Sequence, residues 1–215
     1  MGALYSGALR DGRRLEAVYP DGTRVAVPVE SWRGPLLPGD STLLDRCTGA
    51  TLDVGCGPGR LAAALRRKGV PAVGIDVNED ALRLARAAGA RVHRCSVFGN
   101  VPWPGRWDTV LLADGNIGIG GLPVVLLRRV AALLSPTGRA LVEVEGPDAK
   151  SSRTRLRLAS GDRVSRTFPW AHLALRDADG AAALAGLQTE ESWQAAGRWF
   201  VALRHVQRPT ETDRR

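Results

Sequence analysis

A short apolar run, Ala50-Thr51-Leu52-Asp53-Val54, leads directly into Gly55-Cys56-Gly57-Pro58-Gly59. Leu61, Ala64 and Leu65 then recur at helical spacing until Gly69. A buried strand that turns on alternate glycines into a helix constrains the fold more than anything else here. Such a strand pairs in parallel with another strand only across a helical crossover, so the pattern has to repeat. It does. Pro71-Ala72-Val73-Gly74-Ile75-Asp76 is a second strand, and Asn78 caps a helix over Glu79–Ala88 that Gly89 ends. Ala90–Cys95 is a third strand. Arg106–Asp114 is a fourth, with the near-continuous apolar character of a strand buried on both faces. Leu122–Leu134 reads as a helix stopped at Pro136-Thr137-Gly138, and Gly138–Glu145 as a fifth strand. The repetition predicts an open, mostly parallel sheet with helices on both sides.

The flanks differ. Residues 1–48 show polar and apolar alternation on both sides of Pro20-Asp21-Gly22, which predicts a hairpin of Arg14–Tyr19 and Thr23–Pro28. Trp32-Arg33-Gly34-Pro35 reads as loop, and Asp40 or Ser41 starts a short helix through Arg46. Residues 153–170 read as two alternating strands joined at Ser160-Gly161-Asp162, and Ala178–Ala185 as a helix. Residues 187–206 read as a hairpin, or a long strand turning at Ala196-Gly197. The domain expectation is an N-terminal hairpin and lid extension over 1–48, a ligand-binding domain over 49–208, and a disordered tail over 209–215.

With 215 residues, 44% of them hydrophobic, the chain can bury its own core without disulfides. Cys47, Cys56 and Cys95 lie far apart, in neither metal nor disulfide spacing, and read as reduced thiols. No run has the length of a membrane span, and the start lacks an export pattern, so the expected location is cytoplasmic. The net charge of +8 is carried by 30 cations, of which all but Lys68 and Lys150 are arginine. They are scattered, with runs no denser than Arg66-Arg67-Lys68 or Arg153, Arg155 and Arg157. A nucleic-acid track would interleave aromatics with its cations. The charge therefore reads as solvated helix faces.

The ligand follows from charge and spacing. A dinucleotide loop has the spacing G-x-G-x-x-G, but here the third glycine comes one residue early and Arg60 stands in its place. Asp53, two residues before the first glycine, would repel a pyrophosphate and suits a cationic amine. Asp76 ends the second strand, where a carboxylate accepts hydrogen bonds from both ribose hydroxyls. A phosphate-free, positively charged nucleoside meets all these demands.

On these residues the chain resembles the class I S-adenosylmethionine-dependent methyltransferases. The resemblance is carried by Leu52 to Gly59, Gly74-Ile75-Asp76, Trp107 to Leu112 and Pro136 to Leu141. It implies an α/β, Rossmann-like, doubly wound, mostly parallel seven-stranded sheet with an antiparallel C-terminal strand, beside the small N-terminal hairpin. It implies S-adenosylmethionine as cofactor. Gly55, Cys56, Gly57 and Gly59 would back its methionine and ribose, Asp53 would reach its amine, and Asp76, followed by Val77, its ribose. Ser96 and Val97 would flank the adenine, with Ser96 where the family usually has Asp, and Asp114 would lie beside the sulfonium. Candidates for handling the acceptor are His172, Glu145 and Asn116, with no metal indicated. The expected partner is a small-molecule acceptor of the kind met in bacterial secondary metabolism, with no nucleic acid or membrane, and the chain a monomer or homodimer. The alternatives are an RNA or protein methyltransferase, or a protein that binds the cofactor without transferring methyl.

Overall fold

The computed structural model describes residues 2–206, so the expectation of a disordered 209–215 tail lies outside the described residues. A seven-stranded sheet forms the centre. Five of its strands are parallel: β3 (Thr51–Val54), β4 (Ala72–Asp76), β5 (Arg91–Arg94), β6 (Trp107–Leu112) and β7 (Leu134–Val144). The C-terminal hairpin, β11 (Leu187–Ala195) and β12 (Arg198–His205), turns at Ala196-Gly197 and joins antiparallel through β12. The order across the sheet is β11-β12-β7-β6-β3-β4-β5. This is the doubly wound α/β architecture.

Alternation along the strands explains why both faces are covered. Strand side chains point to opposite faces in turn. Val110 and Leu112 enter one core with Val142, Val201 and Leu203. That face is covered by α6 (Pro123–Leu133), through Leu126, Leu127 and Val130, and by α7 (Leu175–Leu184), through Ala178, Ala181 and Ala182. Leu111, Leu141, Phe200 and Ala202 face the other way. They meet α3 (Asp40–Leu44) and α4 (Arg60–Arg67) through Leu43, Leu44, Leu61 and Leu65. Each leucine removed from water in this way contributes about 1.5–3 kcal/mol. Helix α5 (Glu79–Ala87) packs beside α4, its N-terminus capped by Asn78 Oδ1, which accepts from the Ala81 amide at 3.0 Å.

The second layer differs most from the sequence reading. The hairpin is present but shorter, β1 (Glu16–Val18) and β2 (Arg24–Ala26), with Asp21 Oδ1 accepting from the Thr23 amide at the turn. It is not isolated. β1 pairs antiparallel with β8 (Ser152–Ser160), and β8 pairs on its other side with β10 (Phe168–His172). A short β9 (Arg163–Val164) also pairs with β8, so three strands stand where two were expected. The result is a five-stranded sheet built from both ends of the chain. Two helices stand where the sequence reading placed none: α1 (Gly2–Asp11) and α2 (Val29–Arg33), the latter holding Trp32 and Arg33, which read as loop. Leu4, Ala8 and Leu9 of α1 are buried with Leu15, Val29, Ala81 and Leu158, so α1 is held by α5 and the second sheet. No helix of the described residues is long and apolar enough to cross a membrane.

Candidate active site

β3 ends at Val54, and the chain turns back on itself through a loop clamped to the neighbouring strand. The amides of Gly55 and Cys56 both donate to the Ile75 carbonyl, at 2.8 and 3.0 Å. Gly55 has φ +71°, and a Cβ there would lie 2.8 Å from the Asn116 amide. Gly59 has φ +86°, and a Cβ there would lie 2.7 Å from Ala85 Cβ and 2.9 Å from its Cα. This third glycine of the loop thus lets α4 start hard against α5. Gly59→Ala is expected to lower stability by at least about 1–2 kcal/mol from the left-handed backbone alone, with the clash added. Urea denaturation reads this, and a loss under 0.5 kcal/mol, on the order of a neutral surface change, would contradict the close packing.

The carboxylates converge on this loop. Asp76, ending β4, accepts from the Gly57 amide through Oδ2 at 3.0 Å and from the Asn78 amide through Oδ1 at 2.8 Å. Asn78 does the helix capping, which leaves Asp76 free of that task. Burial raises the Asp76 carboxyl above its ordinary value, against the pull of those amides. Asp53 is 2% exposed, and its Oδ2 has no hydrogen-bond partner among the described residues. Burial first, and then the Asp114 carboxylate, push its pKa up to about 7. Asp114 follows β6 with φ +54°, and its backbone amide donates to Glu143 Oε2 at 2.6 Å.

Two arginines thread this cluster, and neither role was legible beforehand. Arg60, which breaks the dinucleotide spacing, has a side chain only 3% exposed. It pairs with Asp40, itself fully buried, and with Asp114 at 2.6 Å. Arg198 of β12 reaches Asp40 at 2.7 Å, Glu143 at 2.8 Å and Asp114 at 3.4 Å. Asp40, Asp114 and Glu143 hold the two guanidiniums, while Asp53 and Asp76, the other two carboxylates of the cluster, form no ion pair among the described residues. The site carries an excess of negative charge at the carboxyl edge of the sheet. That is where ligands enter folds of this kind.

Tyr5 of α1 closes the crevice from above. Its hydroxyl lies 3.2 Å from where a Gly57 Cβ would stand, and burial and Asp76 raise its pKa. Ser6 accepts from Asn78 Nδ2 at 3.0 Å, and Arg10 pairs with Asp80 at 2.6 Å, fastening α1 over α5.

The remaining sequence candidates fall into two groups. Cys56 is buried in the loop, its thiol raised by burial, and Gly74 makes room for its sulfur. Val77 is exposed beside Asp76, and Val97 is buried in the core. Ser96 is exposed, and its hydroxyl accepts from the Phe98 amide at 3.2 Å, turning the chain there. Asn116 donates through Nδ2 to the carbonyls of Val54 and Gly55, at 2.9 and 3.1 Å, so its amide ties the β6 loop to the glycine loop. Glu145 and His172 meet: Nδ1 of His172 stands 3.0 Å from Glu145 Oε1. Tyr19, which follows β1 and was not singled out, brings its hydroxyl to 3.1 Å from His172 Nε2.

The residues fit S-adenosylmethionine. A buried carboxylate oxygen without a partner calls for a cationic donor, and the net negative crevice favours a positively charged ligand over a pyrophosphate. The glycine loop gives the close backbone approach such a ligand needs.

Comparison with known proteins agrees. Residues 51–138 match the family described as methyltransferase domain. A ubiquinone biosynthesis O-methyltransferase of Bradyrhizobium diazoefficiens is 29% identical over 126 residues, covering 55% of this chain. The chain spans 47% of that relative's length. A solved S-adenosylmethionine-dependent methyltransferase from Bacteroides fragilis, in complex with S-adenosyl-L-homocysteine, superposes with a TM-score of 0.79 at 22% identity. That match covers 96% of this chain and 94% of the other. The 1,6-didemethyltoxoflavin-N1-methyltransferase of Burkholderia thailandensis is more distant, with a TM-score of 0.57, 19% identity, and coverage of 78% and 77%. Residues 51–138 match the methyltransferase domain family, and the chain folded around them has the fold of the S-adenosylmethionine-dependent methyltransferases.

Proposed function

We propose that this protein transfers the methyl group of S-adenosylmethionine to a small-molecule acceptor, of the kind met in bacterial secondary metabolism. The observation that carries this reading is the roof. β10 of the five-stranded sheet packs on residues 116–121 after β6, and α1 sets Tyr5 against Gly57, so this edge of the central sheet is covered, which favours a small acceptor over a macromolecule. The Burkholderia neighbour was solved with a small heterocycle bound, which supports the same scale of acceptor.

When bound, S-adenosylmethionine supplies an electrophilic methyl carbon on a sulfonium, so the chain has to hold, align and exclude water. In this reading Asp53 takes the methionine ammonium. The Gly55–Gly59 loop backs the methionine and ribose, and Asp76 takes the ribose hydroxyls through lone pairs left by its two amide bonds. Val77 and the Ser96-Val97 turn border the adenine, and Tyr5 shuts out water. Asp114 stands by the sulfur, its charge tempered by Arg60 and Arg198.

Release of S-adenosylhomocysteine across a panel of small phenols, alcohols, amines and thiols tests the activity. Asp76→Ala is expected to weaken S-adenosylhomocysteine binding by about 1.5–3 kcal/mol, the scale of a hydrogen bond to a charged group. Unchanged affinity in calorimetry would remove Asp76 from the cofactor site.

One observation favours a second reading, an RNA acceptor. Arg153, Arg155 and Arg157 alternate along β8 on its exposed face, and among the described residues none of them forms an ion pair. RNA binding that weakens steeply with salt, and is lost when the three become Gln, would support it.

A further inference from the structure

Glu145, His172 and Tyr19 come from three separate parts of the chain. Glu145 lies immediately past the carboxyl end of β7, His172 ends β10 and Tyr19 follows β1. They form one line of hydrogen bonds, Glu145 Oε1 to His172 Nδ1 at 3.0 Å and His172 Nε2 to Tyr19 Oη at 3.1 Å. The line stands at the same sheet edge as the cofactor residues. β7 is two strands from β3, and strands lie about 4.8 Å apart, so Glu145 is displaced by roughly 10 Å along that edge from the glycine loop.

The direction of each bond follows from the carboxylate. Its hydrogen bond with His172 holds the Glu145 carboxyl below its ordinary value, so Glu145 is an ionised acceptor at neutral pH. It fixes the imidazole with its proton on Nδ1, leaving a lone pair on Nε2. Tyr19 must then be the donor to Nε2. Burial and the nearby Glu145 and Asp21 raise the Tyr19 phenol above its ordinary value, so it keeps that proton. A carboxylate, an imidazole and a hydroxyl in this order form a path along which a proton can be drawn inward.

We propose that Tyr19, His172 and Glu145 are a proton relay that accepts the proton of a hydroxyl acceptor, so that this site methylates oxygen. The proposal rests on the methyltransferase reading above and names its substrate class. The acceptor hydroxyl donates to Tyr19 Oη as the Tyr19 proton passes to His172 Nε2, giving an imidazolium beside the Glu145 carboxylate. The oxygen–methyl bond forms as the carbon–sulfur bond of S-adenosylmethionine breaks, with that bond's pair remaining on sulfur. The stored proton leaves from His172 to water, since Glu145 is half exposed. A neutral amine attacks with its own lone pair and can lose its proton after transfer, and a thiol ionises near neutral pH, so neither needs the relay. A hydroxyl does.

Two measurements test it on the full chain. The first is nitrogen NMR of the ligand-free protein, which reads the His172 tautomer. The expected result is protonation at Nδ1, altered in Glu145→Gln and kept in Tyr19→Phe; protonation at Nε2 would overturn the proposal. The second is the same acceptor panel, with phenols of graded acidity. Turnover is expected on hydroxyl acceptors. Tyr19→Phe and His172→Gln should each lower kcat by about 10²-fold with KM within about twofold. That loss should shrink as the phenol becomes more acidic. A loss independent of acceptor acidity, turnover confined to amines or thiols, or no turnover of any panel member overturns the relay. Calorimetric binding of S-adenosylhomocysteine separates the two readings. If it persists, only the relay falls; if it is absent as well, the methyltransferase reading falls with it.

Discussion

Asp53→Asn changes the pH dependence of stability of the ligand-free protein more than any other single carboxylate substitution in the crevice. In the folded state the Asp53 pKa is raised from 3.8 to about 7. Between those values the native chain holds a proton that the unfolded chain has lost, so stability falls as pH rises through the window. Below 3.8 both states are protonated and the Asp53 contribution is fully present. Above 7 both are ionised, and a difference of roughly 4 kcal/mol has been lost, at about 1.4 kcal/mol per unit. Asn cannot ionise, so the variant's curve lacks this fall. The Asn amide is itself left short of a partner, which costs about 1–3 kcal/mol at every pH. The variant should therefore be the less stable protein at pH 4 and the more stable one at pH 8. Urea denaturation across that range reads it, and parallel curves for the two proteins would show that Asp53 does not titrate there. The same substitution should weaken S-adenosylhomocysteine binding by about tenfold to a hundredfold, the scale of a hydrogen bond to a charged group, and remove the rise in affinity that wild type is expected to show toward pH 8 as Asp53 ionises. In the proposed function, a carboxylate that is costly to bury alone is the group that would reward a cationic ligand.

How much of this was legible depended on how local each cause is. The run from β3 to β7 was, because buried strands and glycine-ended helices write themselves into consecutive residues. Asp53, Asp76 and the glycine loop came from the same run. α1 was hidden because Gly2 and Gly7 interrupt a pattern whose buried positions are only Leu4, Ala8 and Leu9. α2 is five residues long, too short to show a period, and it takes its place from packing against α1 and the second sheet. The pairing of β1 with β8 joins residues far apart in sequence, and nothing in either segment names its partner. His172 and Glu145 were visible as side chains able to hold a proton. Their meeting with Tyr19, 153 positions from His172, was not. Arg60 did leave a trace: a long cation stood where a dinucleotide loop wants glycine. That oddity could exclude a ligand but could not reveal Asp40 and Asp114 as the reason for the arginine.

Arg60→Met should be among the most destabilising substitutions in the molecule. The guanidinium lies between Asp40, fully buried, and Asp114, in a crevice that already has more carboxylates than cations. Methionine fills similar volume, so the loss is electrostatic rather than a cavity. Removing one member of a buried ion pair leaves an uncompensated charge and costs about 3–5 kcal/mol. Arg198 still reaches Asp40 at 2.7 Å, which keeps the cost from rising further. Against a total stability of about 5–15 kcal/mol, this is a large fraction. The double variant Arg60→Met with Asp40→Asn should recover part of the loss, because the charge left behind is gone. A coupling of about 2 kcal/mol or more in that cycle would assign the effect to the pair rather than to packing. A single-variant loss under about 1 kcal/mol would mean that water screens the network as it does a surface pair. The two guanidiniums would then not be what makes so acidic a crevice foldable before its cationic ligand arrives.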